Sequence, residues 1–275
     1  MRKYPVLLGA AGLVLLTGCT AAGSAPAAVP TVMQVVGTCH TFRTPQEMVQ
    51  PSDVTPPVPC GLPHRSETFE VTSFDGQLAA HRERPDPEQL QTYALDHCDS
   101  HTLRRYVGAG PRDTVSFSVW PRYPTRAEWA EGVRTLRCDA VPPVQEATNG
   151  PLVAFSLRDV LKGPESSVVR NCEYGDAAVT CDHPHDREEV NAWLDLDNRV
   201  RLKDVQSAAA TVCKPYVEEF LRVKLARAQA LTIKAETPSK DEWAKGVRTV
   251  KCGVGPADPG VAVVGTLSQR AKGRA

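Results

Sequence analysis

The chain has no excess of either charge: 32 lysines and arginines stand against 32 aspartates and glutamates in 275 residues. Without a basic field there is no electrostatic footprint for nucleic acid, and that partner class drops out. After the first residues there is no apolar run long enough for a transmembrane helix. The common catalytic fingerprints are also missing: no Walker loop, no Gly-x-Gly-x-x-Gly after a strand, no Gly-x-Ser-x-Gly elbow and no His-Glu-x-x-His. These absences remove the common nucleotide-binding, hydrolase and metalloprotease classes, though not enzymes in general. No Cys-x-x-Cys pairs occur either, which argues against structural metal sites, so no cofactor and no metal is expected.

What is present begins with a processing signal. Arg2 and Lys3 precede an apolar run from Pro5 to Leu16, which ends Leu16-Thr17-Gly18-Cys19. The run is too short for a mature span. Its end resembles the lipobox of bacterial lipoproteins, which implies a signal peptide over 1–18, cleavage before Cys19 and lipidation of that cysteine. An ordinary signal peptide that happens to stop at a cysteine is the plainer alternative. A lipoprotein anchor carries more than one acyl chain, palmitate among them, where a single chain holds a membrane only marginally. Residues 19–35, with five alanines and two prolines, read as a tether whose typical reach is about 20 Å. The expected location is the extracytoplasmic face of the cell membrane.

The remaining chain is an internal repeat. Positions 124–138 read PTRAEWAEGVRTLRC and positions 238–252 read PSKDEWAKGVRTVKC, nine of fifteen identical without a gap. In both, Thr125-x-x-Glu128 and Ser239-x-x-Glu242 form capping boxes at a helix start. Trp129 and Trp243 follow and are expected to plug a core. Gly132 and Gly246 end the turn, and strands leading to Cys138 and Cys252 carry Arg134, Arg137, Arg248 and Lys251 between apolar residues. A second matched segment runs Val58-Pro-Cys60-x-x-Pro63-His64-x-x-Glu67 and Val179-Thr-Cys181-x-x-Pro184-His185-x-x-Glu188. A weaker third pairs Leu152–Arg158 with Val263–Leu267.

Setting Cys19 aside, eight cysteines remain, four per half: Cys39, Cys60, Cys98 and Cys138, then Cys172, Cys181, Cys213 and Cys252. Export exposes them to an oxidising compartment, so two disulfides per repeat and none between repeats are expected. Four cysteines allow three connectivities, and spacing does not choose among them. Leu90, Tyr93, Ala94, His97, Cys98 and His101 recur at helical spacing, as do Val205, Ala208, Ala209, Val212 and Cys213, which places each third cysteine on a helix. Pro215 should break the second of these or begin a new turn just after Cys213. Residues 114–120 alternate as a strand, and residues 230–235 do so more weakly. The fold class is α+β: two tandem disulfide-stapled domains of roughly 110 residues each, over 36–160 and 165–275, each a mainly antiparallel sheet with one principal helix.

Four cysteines in this order, with the V-x-C-x-x-P-H-x-x-E and P-x-x-x-x-W-x-x-G-x-R-x-x-x-C segments, resemble the septum-formation family, cell-envelope domains of actinobacterial type. The resemblance covers about 35–158 and again about 168–270. It implies a part in septum or cell-wall processes and brings no catalytic residue to carry over.

The candidate binding residues are His64, Glu67, His185 and Glu188. A carboxylate-oriented histidine can serve as a general base. However, Ser66 of the first copy becomes Arg187 in the second, so no nucleophile recurs, and a histidine in a Pro-His turn commonly holds its own loop. Asp182, His183, His185 and Asp186 have metal-ligand chemistry, but the first copy has Gly61, Leu62, His64 and Arg65 there, which favours a polar loop. His97 and His101, four apart, should share one helix face and pack. Arg104, Arg105, Arg222, Lys224 and Arg227 read as solvated faces, with anionic lipid or wall polymer as the functional alternative. The best reading is a membrane-anchored, non-enzymatic binding or scaffolding module whose partners are the cytoplasmic membrane and cell-wall polymer or envelope proteins. The alternatives are an envelope hydrolase using His64 or His185, and a ligand- or metal-capturing lipoprotein.

Overall fold

The computed structural model describes residues 34–42, 47, 51–52, 55–143 and 152–268. The lipobox at Cys19 and most of the expected tether lie outside them. No helix among the described residues is long and apolar enough to cross a membrane.

The fold is α+β with two antiparallel sheets. The first half contributes β1 (Cys39–His40), β2 (Ser66–Ser73), α1 (Gly76–Ala80), α2 (Pro87–His97), α3 (Ser100–Tyr106), β3 (Ser118–Arg122), α4 (Arg126–Ala130) and β4 (Thr135–Val141). After α5 (Ser166–Val169), the second half contributes β5 (Asn171–Tyr174), β6 (Ala177–Thr180), β7 (Arg187–Asp195), α6 (Val205–Leu221), β8 (Leu231–Ile233), α7 (Lys240–Ala244) and β9 (Thr249–Pro256). The strand orders are β1-β2-β4-β3 and β6-β5-β7-β9-β8. Their common core is a long strand pair, β2 with β4 and β7 with β9, and each pair is interrupted by a register shift, after Thr68 and after Glu189.

The even count of cysteines resolves into Cys39–Cys60, Cys98–Cys138, Cys172–Cys181 and Cys213–Cys252, all within a half. The two long-range bridges staple the principal helix of each half to its central strand. In the first half Leu90, Ala94, Leu103 and Tyr106 bury against Phe69, Leu136 and Ala140. In the second, Val205, Ala209, Cys213 and Val217, four apart on one face of α6, bury against Val190, Val250 and Val254. The connector belongs to the first core: Val160, Leu161 and Val169 all pack there.

Several local expectations are corrected. The first principal helix is two helices. Cys98 caps α2 rather than lying within it, and Asp99 caps α3 by accepting from the His101 and Thr102 amides. His97 and His101 therefore share no face: His97 stacks on Tyr93 with ring centroids 3.7 Å apart, while His101 is exposed. Pro215 sits inside α6 without ending it. It lies on the exposed side, where water can meet the carbonyl it leaves unpaired, and the buried face holds the helix together. The strand expected over 114–120 is shifted to 118–122, because residues 111–114 turn away to bond the second half.

Both capping boxes form, and both closing glycines take the left-handed backbone, φ +92° at Gly132 and +91° at Gly246. The arginine two residues later folds back over the tryptophan in each copy. Arg134 lies 3.8 Å from the Trp129 ring centroid and donates to Trp129 O; Arg248 lies 3.9 Å from that of Trp243 and donates to Trp243 O. The tryptophans differ in depth. Trp129 is 1% exposed and its indole donates to His81 O beyond α1, whereas Trp243 is only half-buried. The β7–α6 connection has no counterpart of α1, so the second tryptophan lacks that cover and packs against its core only half-buried.

Candidate functional site

The two matched histidine segments fold into the same structure. In the first copy His64 forms an isolated antiparallel bridge with Val153: its amide donates to Val153 O at 2.9 Å, and the Val153 amide returns the bond at 3.0 Å. In the second, His185 does the same with Val263, at 2.9 and 2.8 Å. Each histidine ring then bonds its own turn. Nδ1 lies 2.8 Å from Leu62 O and 2.9 Å from His183 O, and since a carbonyl only accepts, Nδ1 carries the hydrogen. Both rings are fully buried.

Three residues on, the glutamate completes a latch. Glu67 accepts from the Ser156 hydroxyl at 2.8 Å, from the Leu157 amide through its other oxygen, and from the Tyr106 hydroxyl. Glu188 accepts from the Thr266 hydroxyl at 2.6 Å and from the Leu267 amide at 2.6 Å, with Arg170 at 3.8 Å in place of the tyrosine. The weak third sequence match is thus the receiving side of the latch: Val153, Ser156 and Leu157 correspond to Val263, Thr266 and Leu267. Burial pushes the Glu188 carboxyl above its ordinary range, against the opposing pull of Arg170 and the two donors. Burial, and then the Glu67 carboxylate, push the Tyr106 phenol well above its ordinary value.

His185 and Glu188 lie beside the Cys172–Cys181 disulfide, with potential ligand atoms all within 4.8 Å of one another, but the two sulfurs are bonded to each other. His183 points the other way. It is exposed and bonds Asp182 at 3.1 Å, while Asp186 faces the Gly175 amide at 3.4 Å. The Asp182, His183, His185 and Asp186 side chains therefore do not converge. The arginines expected as a solvated face divide. Arg104 folds back to hold the turn carbonyls of Gly110 at 2.6 Å and Asp113 at 2.9 Å, while Arg105, Arg222, Lys224 and Arg227 are exposed, Lys224 paired with Glu218.

Sequence reasoning missed a buried polar cluster on the far face of the first sheet. Asp139, fully buried, accepts from Thr68 Oγ1 at 2.9 Å and pairs with Arg137 at 2.9 Å, and Arg122 lies at 3.8 Å. His40 Nε2 sits 3.3 Å from the same threonine. Alternation along β4 was the available signal: Arg137 and Asp139 fall on the side opposite Leu136, Cys138 and Ala140. That side would ordinarily be solvent. Here residues from the long Cys39–Cys60 loop reach it, Phe42 lying 4.6 Å from the Arg122 guanidinium and Pro51 O accepting from the Tyr123 amide.

The fold is thus a duplicated, disulfide-stapled α+β architecture in which the matched histidine and glutamate residues join one segment to another. A family model described as Septum formation matches residues 36–252 and, overlapping it, 178–273. With more than half of the chain covered, the protein belongs to the septum-formation family. No curated protein and no solved structure matches the chain.

Proposed function

We propose that the protein is a lipid-anchored, extracytoplasmic module of the cell envelope that works by binding or scaffolding, without catalysis, in septum or cell-wall processes. Family membership supports the septum-related envelope role. The lipobox-like stretch ending at Cys19 supports the anchor. The observation that carries the non-catalytic reading is the use made of His64, Glu67, His185 and Glu188. In both copies these side chains are fully buried, and their hydrogen bonds go to the chain's own backbone, hydroxyls or turn. A general base must reach the proton it removes, and neither ring presents exposed surface from which to do so.

The test uses the lipidated protein and its Cys19→Ala variant in membrane fractionation, then mild crosslinking and pull-down from membranes. We expect the wild type in the membrane fraction with envelope partners or wall material, and Cys19→Ala released or left with its signal uncleaved. A processed Cys19→Ala protein that stays membrane-bound removes the anchor. A turnover on wall or peptide substrate that vanishes in His64→Gln with His185→Gln, while fold and envelope binding persist, removes the non-catalytic reading.

A further inference from the structure

The outer face of the second sheet differs from its counterpart in the first. In the first copy that face is the buried cluster around Arg137 and Asp139. In the second, Lys251 and Gly253 take those positions in β9, and the first-to-second-cysteine loop is short, with a sequence separation of 9 against 21. Arg187, 8% exposed, lies over Gly253 and donates to Lys234 O, while beyond it β7 presents Trp193, 62% exposed. The strand's alternation fixes this orientation, since Val190 and Ala192 point into the core.

The surroundings of this indole are ordered and polar. Across the ladder Trp193 is opposite Lys251, whose ammonium lies 5.1 Å from the ring centroid and 3.0 Å from Glu236 Oε1. In the next row Thr249 Oγ1 donates to Asp195 Oδ1 at 2.6 Å. The indole, the ammonium and Asp195 are thus set on β7 and β9, and Glu236, in the stretch after β8, is held beside them by an isolated bridge to Lys251; both carboxylate residues are exposed.

We propose that this face, centred on Trp193, binds a glycan chain, with one pyranose ring stacked on the indole and its hydroxyls hydrogen-bonded by Asp195, Glu236 and Lys251. The proposal rests on the reading that the protein acts by binding in the envelope. The chemistry chooses among partners. A protein partner would need a larger apolar patch, and here the apolar surface is one ring. An anionic polymer or lipid surface would need surplus cations, and here Lys251 is paired with Glu236 and Arg187 with Glu173. A sugar presents an apolar C–H face edged by hydroxyls, which matches an exposed aromatic ring flanked by charged acceptors and a donor.

The full mature chain is titrated with the β-1,4-linked N-acetylglucosamine hexamer and with glycan strands released from isolated envelope, followed by tryptophan fluorescence and calorimetry. We expect binding by the wild type and loss of about ten-fold or more in affinity for Trp193→Ala, as removal of a stacked ring worth on the order of a factor of ten requires. Trp193→Phe should keep part of the affinity, and thermal stability should be unchanged in both because the ring is exposed. Wild-type protein that binds neither probe, or Trp193→Ala that binds them equally, overturns the glycan face. Envelope retention separates this from the broader reading. Retention that survives in Trp193→Ala together with equal probe binding sinks the glycan face and leaves the binding role standing, whereas a wild type that is not retained removes both.

Discussion

Replacing Glu67 or Glu188 by glutamine keeps the shape of the latch and removes half of its accepting power. Glu67 receives three donors on two oxygens, and Glu188 receives Thr266 and Leu267 on separate oxygens. Glutamine offers one accepting oxygen, and its amide nitrogen faces the remaining donor with hydrogens of its own. With the oxygen kept on the backbone amide, the nitrogen donates to the hydroxyl, which must turn its own hydrogen away from its present bond; each latch then exchanges a charge-assisted bond for a weaker neutral one, and a loss of about 2 kcal/mol is expected per latch. For a folded chain of this size that lowers the melting temperature by about 4–8 °C. The assay is thermal and urea unfolding, monitored by circular dichroism with the disulfides intact, on Glu67→Gln, Glu188→Gln and the double variant. The latches share no residue, so the two losses should add. A change below about 0.5 kcal/mol in either variant, the range of an ordinary surface substitution, would refute the latch as the role of these residues.

Three further outcomes follow from the same contacts. Tyr106, whose phenol is raised by burial, keeps its proton in the folded state while the unfolded phenol releases it; stability is therefore full below about pH 10 and falls as pH rises above that value, and Tyr106→Phe should flatten this alkaline loss in a pH series of urea unfolding. The flattening will be partial, because Tyr93 and Tyr123 are shifted the same way. Removing the Cys98–Cys138 or Cys213–Cys252 bridge by paired alanines, with separations of 40 and 39, should cost about 4 kcal/mol each, and removing Cys172–Cys181, with a separation of 9, about 2.5 kcal/mol; equal losses for long and short bridges would contradict a chain-entropy origin. Trp129→Ala should cost about 3–5 kcal/mol and Trp243→Ala clearly less in the same unfolding assay, since only Trp129 is fully buried, and equal costs would show that the cover over Trp129 carries no weight.

The features legible in the sequence are those set by short spacing. A capping box is three residues long, a closing glycine is required wherever the chain must turn left-handed, and an even set of cysteines in each half pairs within that half. The latch was not legible because its partners, Glu67 and Ser156 or Glu188 and Thr266, lie far apart in sequence and only the closed fold brings them together. The histidine-glutamate pair carries residue types suited to chemistry, and in the fold its hydrogen bonds go to the chain's own turns, hydroxyls and amides. Pro215 misled because the local rule prices a lost hydrogen bond but not the apolar face of α6 buried against β7 and β9. The unequal depth of the two tryptophans depends on α1, an element outside the repeated segment, which no comparison of the copies could supply.

The connector shows why the copies are not interchangeable units. Arg170 has no place in the repeated pattern, yet it is 5% exposed and stands where the halves meet. Its guanidinium pairs with Asp113 of the first half at 2.9 Å and reaches toward Glu188, the latch residue of the second, at 3.8 Å; it also lies over the Phe220 ring. Alongside it the Asn191 amide donates to Arg112 O, and Arg112 pairs with Glu219 at 2.7 Å. A buried guanidinium is tolerated only when charge partners and hydrogen bonds are in place around it. Those partners come from both halves, Asp113 from the first and Glu188 from the second, so the joint forms fully only when both are folded.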